Sequence, residues 1–204
     1  MIKNIIISPK ISKDKHGKIN HVIEDNWYKF FKNQKINLLT LNSDSDLKIK
    51  LKNLKISSVI LHGGNDLTSF VKNKENIKRE EVDRKILFYA IKKKIPILAV
   101  CYGFQLIANF FGINLKKINN HVNKKHILNF QSKKKIVRVK VNSFHNYAVY
   151  KLPAHFKQIV KYKDNTIEFA YSKNKKIMCT MFHPERKNWD KSFIKKVIYR
   201  HLDI

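Results

Sequence analysis

Two cysteines, four prolines and five glycines are all that 204 residues contain of the types that staple or punctuate a chain, and 15 acidic residues face 43 lysines and arginines. Each shortage excludes something. Cys101 and Cys179 cannot build a disulfide framework, and a lone pair in a chain of this size fits a reducing compartment. No Pro/Gly/Ser-rich linker, internal repeat or separate tail interrupts the sequence, so residues 1–204 read as one domain. No apolar run approaches the length of a bilayer span, and Ile5-Ile6-Ile7 is far shorter than a secretory core. A cytoplasmic protein with no membrane partner is expected.

A net charge of +28 points in general to nucleic acid, anionic lipid or an acidic substrate. Arginine, whose planar fork suits phosphate and guanine, is scarce: Arg79, Arg84, Arg138, Arg186 and Arg200 are all there are. The lysines are spread through every segment beside many Ile and Asn, a pattern read first as the composition of an A- and T-rich genome and second as a binding surface. Dispersed charge of this kind is a solvated face. Nucleic acid is therefore not the expected partner, although a positive surface attracts an anionic small molecule.

What is present is an alternation of short β-rich runs with helix-length segments. Strands are predicted at Lys3 to Ser8, Ile36 to Leu41, Ser57 to Leu61 and Ile95 to Val100. Helices are predicted over Asn20 to Lys32, over Ile77 to Lys93, and after Cys101, where Phe104, Ile107, Ala108 and Phe111 fall on one face before Gly112. Beyond residue 117 a polar stretch gives way to β-runs at Lys135 to Asn142, Gln158 to Lys163, Thr166 to Ser172 and Lys176 to Phe182, then a helix near Trp189 to His201. The pattern implies an α/β fold, a doubly wound, mostly parallel sheet with antiparallel additions.

Two of the five glycines and one cysteine fall in PILAVCYGFQLIANFFG, residues 96–112. A buried strand would deliver Cys101 to the sheet's C-terminal edge, Gly103 would let the chain turn into a helix, and the helix N-terminus would favour a thiolate. His183 in MFHPER stands at the end of another predicted strand, with Glu185 two residues on to orient it. HGGND at 62–66 could offer a backbone N–H to an oxyanion. Taken singly, Cys101 also reads as a small core residue, His183 as a surface histidine and the glycine pair as an ordinary turn.

In their joint order GGND, Arg79 with Asp83, PILAVCYGFQ, VNSFHN at 141–146 and FHPE at 182–185 resemble the class I glutamine amidotransferases, whose domain is flavodoxin-like. Within that superfamily they are most similar to the free-standing γ-glutamyl hydrolases. The resemblance implies a Cys101-His183-Glu185 triad, an oxyanion hole from the N–H groups of Gly64 and Tyr102, and a γ-glutamyl moiety held near Gly63, Gln105, Asn142, Ser143, Phe144 and His145. It implies hydrolysis of a γ-glutamyl amide through a thioester without metal or cofactor. His121 to His126 resembles a histidine-bearing stretch of these hydrolases, and its spacing is unlike a closed zinc set. The Glu24 to Phe31 run resembles members acting on γ-glutamyl-CDP-amidate, an anionic substrate. A glutaminase subunit passing ammonia to a partner synthase is the alternative. An inert nucleic-acid binder would lack a triad member. Ala99, Tyr102 and Phe182 depart from the family's usual glycine, Arg or Leu, and Trp, which bears on specificity rather than on the reacting groups.

Overall fold

Four apolar runs of the first hundred residues and one near the end become the parallel heart of a seven-stranded sheet. The computed structural model describes residues 2–41, 51–132, 135–188 and 190–204. In chain order the strands are β1 (Lys3–Ser8), β2 (Lys10–Lys13), β3 (Ile19–Val22), β4 (Ile36–Leu39), β5 (Ile56–Leu61), β6 (Ile97–Val100), β7 (Lys116–Lys117), β8 (Val122–Ser132), β9 (Lys135–Phe144), β10 (Tyr147–Ala148), β11 (Gln158–Lys161), β12 (Ile167–Ser172) and β13 (Ile177–Thr180). The described helices are α1 (Asp25–Phe30), α2 (Lys74–Lys92), α3 (Tyr102–Phe110) and α4 (Lys191–Leu202).

The main sheet runs β11-β12-β13-β6-β5-β1-β4. The pairs from β4 to β13 are parallel, and β12 and β11 add antiparallel strands at one edge. Chain order reverses at β1: β4 joins one side and β5 the other, and clefts outside the carboxyl ends of such a sheet are where ligands sit. Both faces are covered. Ile86, Leu87 and Ala90 of α2 pack with Phe104, Leu106 and Ile107 of α3 on one face. Trp27 and Phe30 of α1 and Ile194 and Ile198 of α4 close the other.

The structure corrects three expectations. Residues 20–22 of the helix expected from Asn20 belong to β3, which pairs with β2 as a hairpin, and the helical part is only Asp25–Phe30. The polar stretch after residue 117 contains β8, paired with β9 along nearly its whole length. Its inward positions are His126, Leu128 and Phe130, and outward Ile127 is 48% exposed. With a histidine inside and an isoleucine outside, the period-two signal is inverted where it starts. The last helix starts at Lys191, and the expected start at Trp189 lies outside the described residues.

Candidate active site

Three parallel strands end side by side, and the loops after them carry the chemistry: β5 leads into His62-Gly63-Gly64-Asn65, β6 into Cys101, β13 into His183. Cys101 occupies the turn between β6 and α3 with φ 50° and ψ −102°, a left-handed conformation that costs a non-glycine residue of order 1–3 kcal/mol. Its N–H is fixed by Thr180 O at 2.8 Å and its carbonyl by the N–H of Gln105 at 3.0 Å. The sharp turn is thus made by the cysteine itself. Gly103, expected to supply it, is not among the residues with positive φ. It is needed for close approach, because a Cβ there would lie 2.0 Å from Leu61 O.

His183 turns its Nδ1 to Glu185 Oε1 at 2.7 Å, which leaves Nε2 as the atom that meets the Cys101 thiol in a hydrogen bond. The expected reason for the His183–Glu185 contact, an extended strand, is wrong. The segment is a turn through Pro184, closed by the Arg186 N–H on His183 O at 3.3 Å. All three side chains are nearly buried, Cys101 being 8% exposed, His183 2% and Glu185 1%. Burial would push the Cys101 thiol up, but the His183 hydrogen bond and the charges of His183, His145 and Arg186 outweigh it and hold it below the ordinary 9.0. Burial would likewise lower His183, but the Glu185 carboxylate and then the Cys101 contact raise it from 6.5 to about 10. Both shifts favour the thiolate–imidazolium form of the pair. No side chain caps α3, so its first-turn N–H groups add their positive dipole end to the thiolate. Cys179, wholly buried, is pushed well above 9.0 by burial and is an inert core thiol.

The glycine pair does unequal work. A Cβ on Gly63 would stand 2.3 Å from His183 Cε1, so this position must be bare for the imidazole to seat. Gly64 has φ +131° and lies beside Arg79 and Lys10. Arg79, 1% exposed, binds this turn: its guanidinium donates to the carbonyls of His62 and Gly63 and to Asn65 Oδ1, pairs with Asp83 at 3.2 Å and lies 4.0 Å over the Tyr102 ring. It ties the glycine turn to Tyr102, the residue after Cys101.

Among the residues expected at the substrate, Gln105 is buried and donates from Nε2 to Tyr147 O at 3.3 Å. Phe144 is 37% exposed, with its ring 6.2 Å from that of His183 and the Arg186 guanidinium 5.1 Å from its centroid. Asn142 and Ser143 are placed differently. The Asn142 amide donates to His183 O at 2.7 Å and accepts from His183 N at 2.9 Å, so it clamps the histidine turn. Ser143 Oγ donates to His121 O. His145 has both nitrogens engaged internally, Nδ1 with Tyr147 O and Nε2 with Glu168 and His121. In the Glu24 to Phe31 run, Trp27, Phe30 and Phe31 pack among themselves and on Tyr199, an amphipathic packing helix. Only Glu24 reaches the site, pairing with Arg186.

Sequence reasoning missed the Arg186–Glu24 pair, the Asn142 clamp and the packing of Glu168 behind His145. Arg186 adjoins the FHPE motif, a signal that was available. The other contacts join residues far apart in the chain.

A model of the glutamine amidotransferase class-I family matches residues 12–198. The chain is 35% identical over 133 residues to a γ-glutamyl-CDP-amidate hydrolase of Campylobacter jejuni, a match covering 65% of this chain and 64% of that protein. It is 27% identical over 157 residues to one subunit of the glutamine-hydrolysing GMP synthase from Methanococcus vannielii, covering 72% and 73%. Against a glutamine-hydrolysing GMP synthase of Borrelia garinii the matched stretch spans 25% of that longer protein. In fold it is similar to a glutamine amidotransferase from Thermotoga maritima, with a TM-score of 0.66 at 16% identity over 98% of this chain and 83% of that one. Because the family match runs through the elbow, the glycine turn and the histidine turn alike, the chain belongs to the class I glutamine amidotransferase family.

Proposed function

We propose that the protein hydrolyses a γ-glutamyl amide, with Cys101 as nucleophile, His183 as acid and base and Glu185 as the group that orients and charges His183. The observation that carries the reading is the Cys101-His183-Glu185 chain on a strained strand-to-helix turn, with the thiol lowered and the imidazole raised. The Cys101 thiolate attacks the γ-carbonyl, and charge on its oxygen is met by the N–H groups of Gly64 and Tyr102. The C–N bond breaks as His183 gives its proton to the leaving amine. Neutral His183 then takes a proton from water, which attacks the γ-glutamyl thioester, and the C–S bond breaks to release glutamate and restore the thiolate–imidazolium pair. Gly63, Gln105 and Phe144 face the glutamyl head group, while Asn142, Ser143 and His145 act behind them. No metal or cofactor enters these steps.

The best-supported substrate is γ-glutamyl-CDP-amidate, giving cytidine diphosphoramidate. The 35% identity to a hydrolase of that name supports it, as does a net charge of +28 suited to a diphosphate. A second reading, a glutaminase subunit that hands ammonia to a synthase, draws on the similarity to the Methanococcus GMP synthase subunit. Glutamate release by the purified chain, measured side by side from γ-glutamyl-CDP-amidate and from glutamine with Cys101→Ala as blank, separates them. Unaided turnover of the nucleotide substrate well above glutamine supports the hydrolase. Silence toward both, relieved by a synthase, supports the glutaminase reading.

A further inference from the structure

Behind the triad, His121, His126, His145 and Glu168 form a group that the mechanism does not use. Each is at most 5% exposed, and they come from separate places: the residue before β8, β8 itself, the turn after β9, and β12. Three imidazoles converge on a single carboxylate oxygen. Glu168 Oε1 lies 3.1 Å from His126 Nδ1, 3.3 Å from His145 Nε2 and 3.9 Å from His121 Nδ1, while His121 Nδ1 and His145 Nε2 are 3.3 Å apart.

The outer nitrogens determine what the inner ones carry. His145 Nδ1 faces the Tyr147 carbonyl at 3.0 Å, so it bears the hydrogen, and Nε2 of the neutral ring is a lone pair. His121 Nε2 faces Asp164 Oδ2 at 2.7 Å, so its Nδ1 is a lone pair too. With both rings neutral, two lone pairs point at one another and at a carboxylate, and only a positive centre among them, a proton or a metal ion, satisfies all three. Two further buried atoms are left over: Glu168 Oε2 has no hydrogen-bond partner, and His126 Nδ1, near as it is to Glu168, makes no aligned hydrogen bond. Such groups are costly unless something positive stands among them.

We propose that these four side chains form a binding site for a divalent metal ion, zinc being the ion that fits. Zinc held by imidazole and carboxylate at about 2.0–2.2 Å in a tetrahedron sets its ligand atoms roughly 3.3–3.5 Å apart; three of the six separations here fall at 3.1 to 3.3 Å, and all four atoms lie within 4.8 Å of one another. The outward contacts to Asp164 and to the Tyr147 carbonyl are those that metal-bound histidines make to fix ring orientation and tautomer. Four protein ligands close the coordination, so the ion is structural and does no chemistry on the substrate. It joins β8, β12 and the turn after β9. The spacing of His121 and His126 alone shows none of this, because the other two ligands come from distant strands.

The test uses the Cys101→Ala chain, in which no thiolate can take up metal, stripped with chelator and titrated with zinc by calorimetry and with cobalt by visible absorption. One equivalent of zinc, a raised Tm and the intense absorption of tetrahedral cobalt are expected. His126→Ala and Glu168→Gln should each abolish the stoichiometric uptake. Asp164→Ala, at a partly exposed position that leaves the core intact, should weaken zinc by about 10–100-fold. No uptake by the Cys101→Ala chain, or uptake unchanged in His126→Ala or Asp164→Ala, overturns the site and leaves protons as what holds the group together.

Discussion

Cys101 and His183 perturb each other in opposite directions, and the third residue controls both. The Glu185 carboxylate is the leading cause of the raised His183, whose proton and charge in turn depress the thiol. With the thiol held below 9.0 and its partner protonated up to about 10, reaction with iodoacetamide should show an inflection below 9.0 and decline as pH falls through the Cys101 titration. Glu185→Gln removes the charge, lets His183 fall toward 6.5 and moves the Cys101 inflection up toward 9.0. Alkylation at pH 7 should slow, by about tenfold for each pKa unit the thiol regains. Mass mapping should find the label on Cys101 and not on Cys179. The same imidazole explains Gly63. With its Nδ1 held by Glu185 and its backbone by Asn142, the ring cannot retreat from a methyl group 2.3 Å from Cε1. Gly63→Ala should therefore lower kcat by ~100-fold while circular dichroism is unchanged, the usual result of misplacing a catalytic group by about 1 Å.

At the level of strands and helices, the sequence was legible where apolar patterning and chemistry agreed. β1, β5 and β6, each a buried run, stand within two residues of their expected bounds, and the elbow follows from an apolar strand meeting Cys-Tyr-Gly. β8 was illegible because its first inward residue is His126, buried not as a hydrophobe but among other histidines. The β2–β3 hairpin was missed because its half-exposed residues offer almost no apolar face. Arg79 shows the same limit: its spacing to Asp83 is visible on α2, but its grip on the glycine turn is not. Burial holds the Asp83 carboxyl up at about 6, against the pull of the Arg79 charge. Arg79→Met would strand that carboxyl and the His62 and Gly63 carbonyls of the glycine turn at once. Urea unfolding should show a loss of about 3–5 kcal/mol, partly recovered when Asp83→Asn is added, because most of the cost of a broken buried pair is the charge left behind.

Charge belongs to the whole molecule, since +28 comes from lysines in every segment and not from a motif. If it reflected composition alone, substrate capture would be indifferent to salt. A field of one sign acts on a ligand in proportion to the ligand's charge and is screened over about 10 Å at 0.1 M salt. Glutamine has no net charge near neutrality, whereas a γ-glutamyl amide carried on a nucleoside diphosphate is an anion. Raising sodium chloride from low ionic strength to about 1 M, where screening shortens to roughly 3 Å, should therefore raise KM for the nucleotide-linked substrate severalfold and leave KM for glutamine nearly level. kcat should not change for either, because Cys101 and His183 face each other inside a nearly buried site where salt does not penetrate. Equal salt dependence for the two substrates would assign the lysines to composition and remove the surface from the account of specificity.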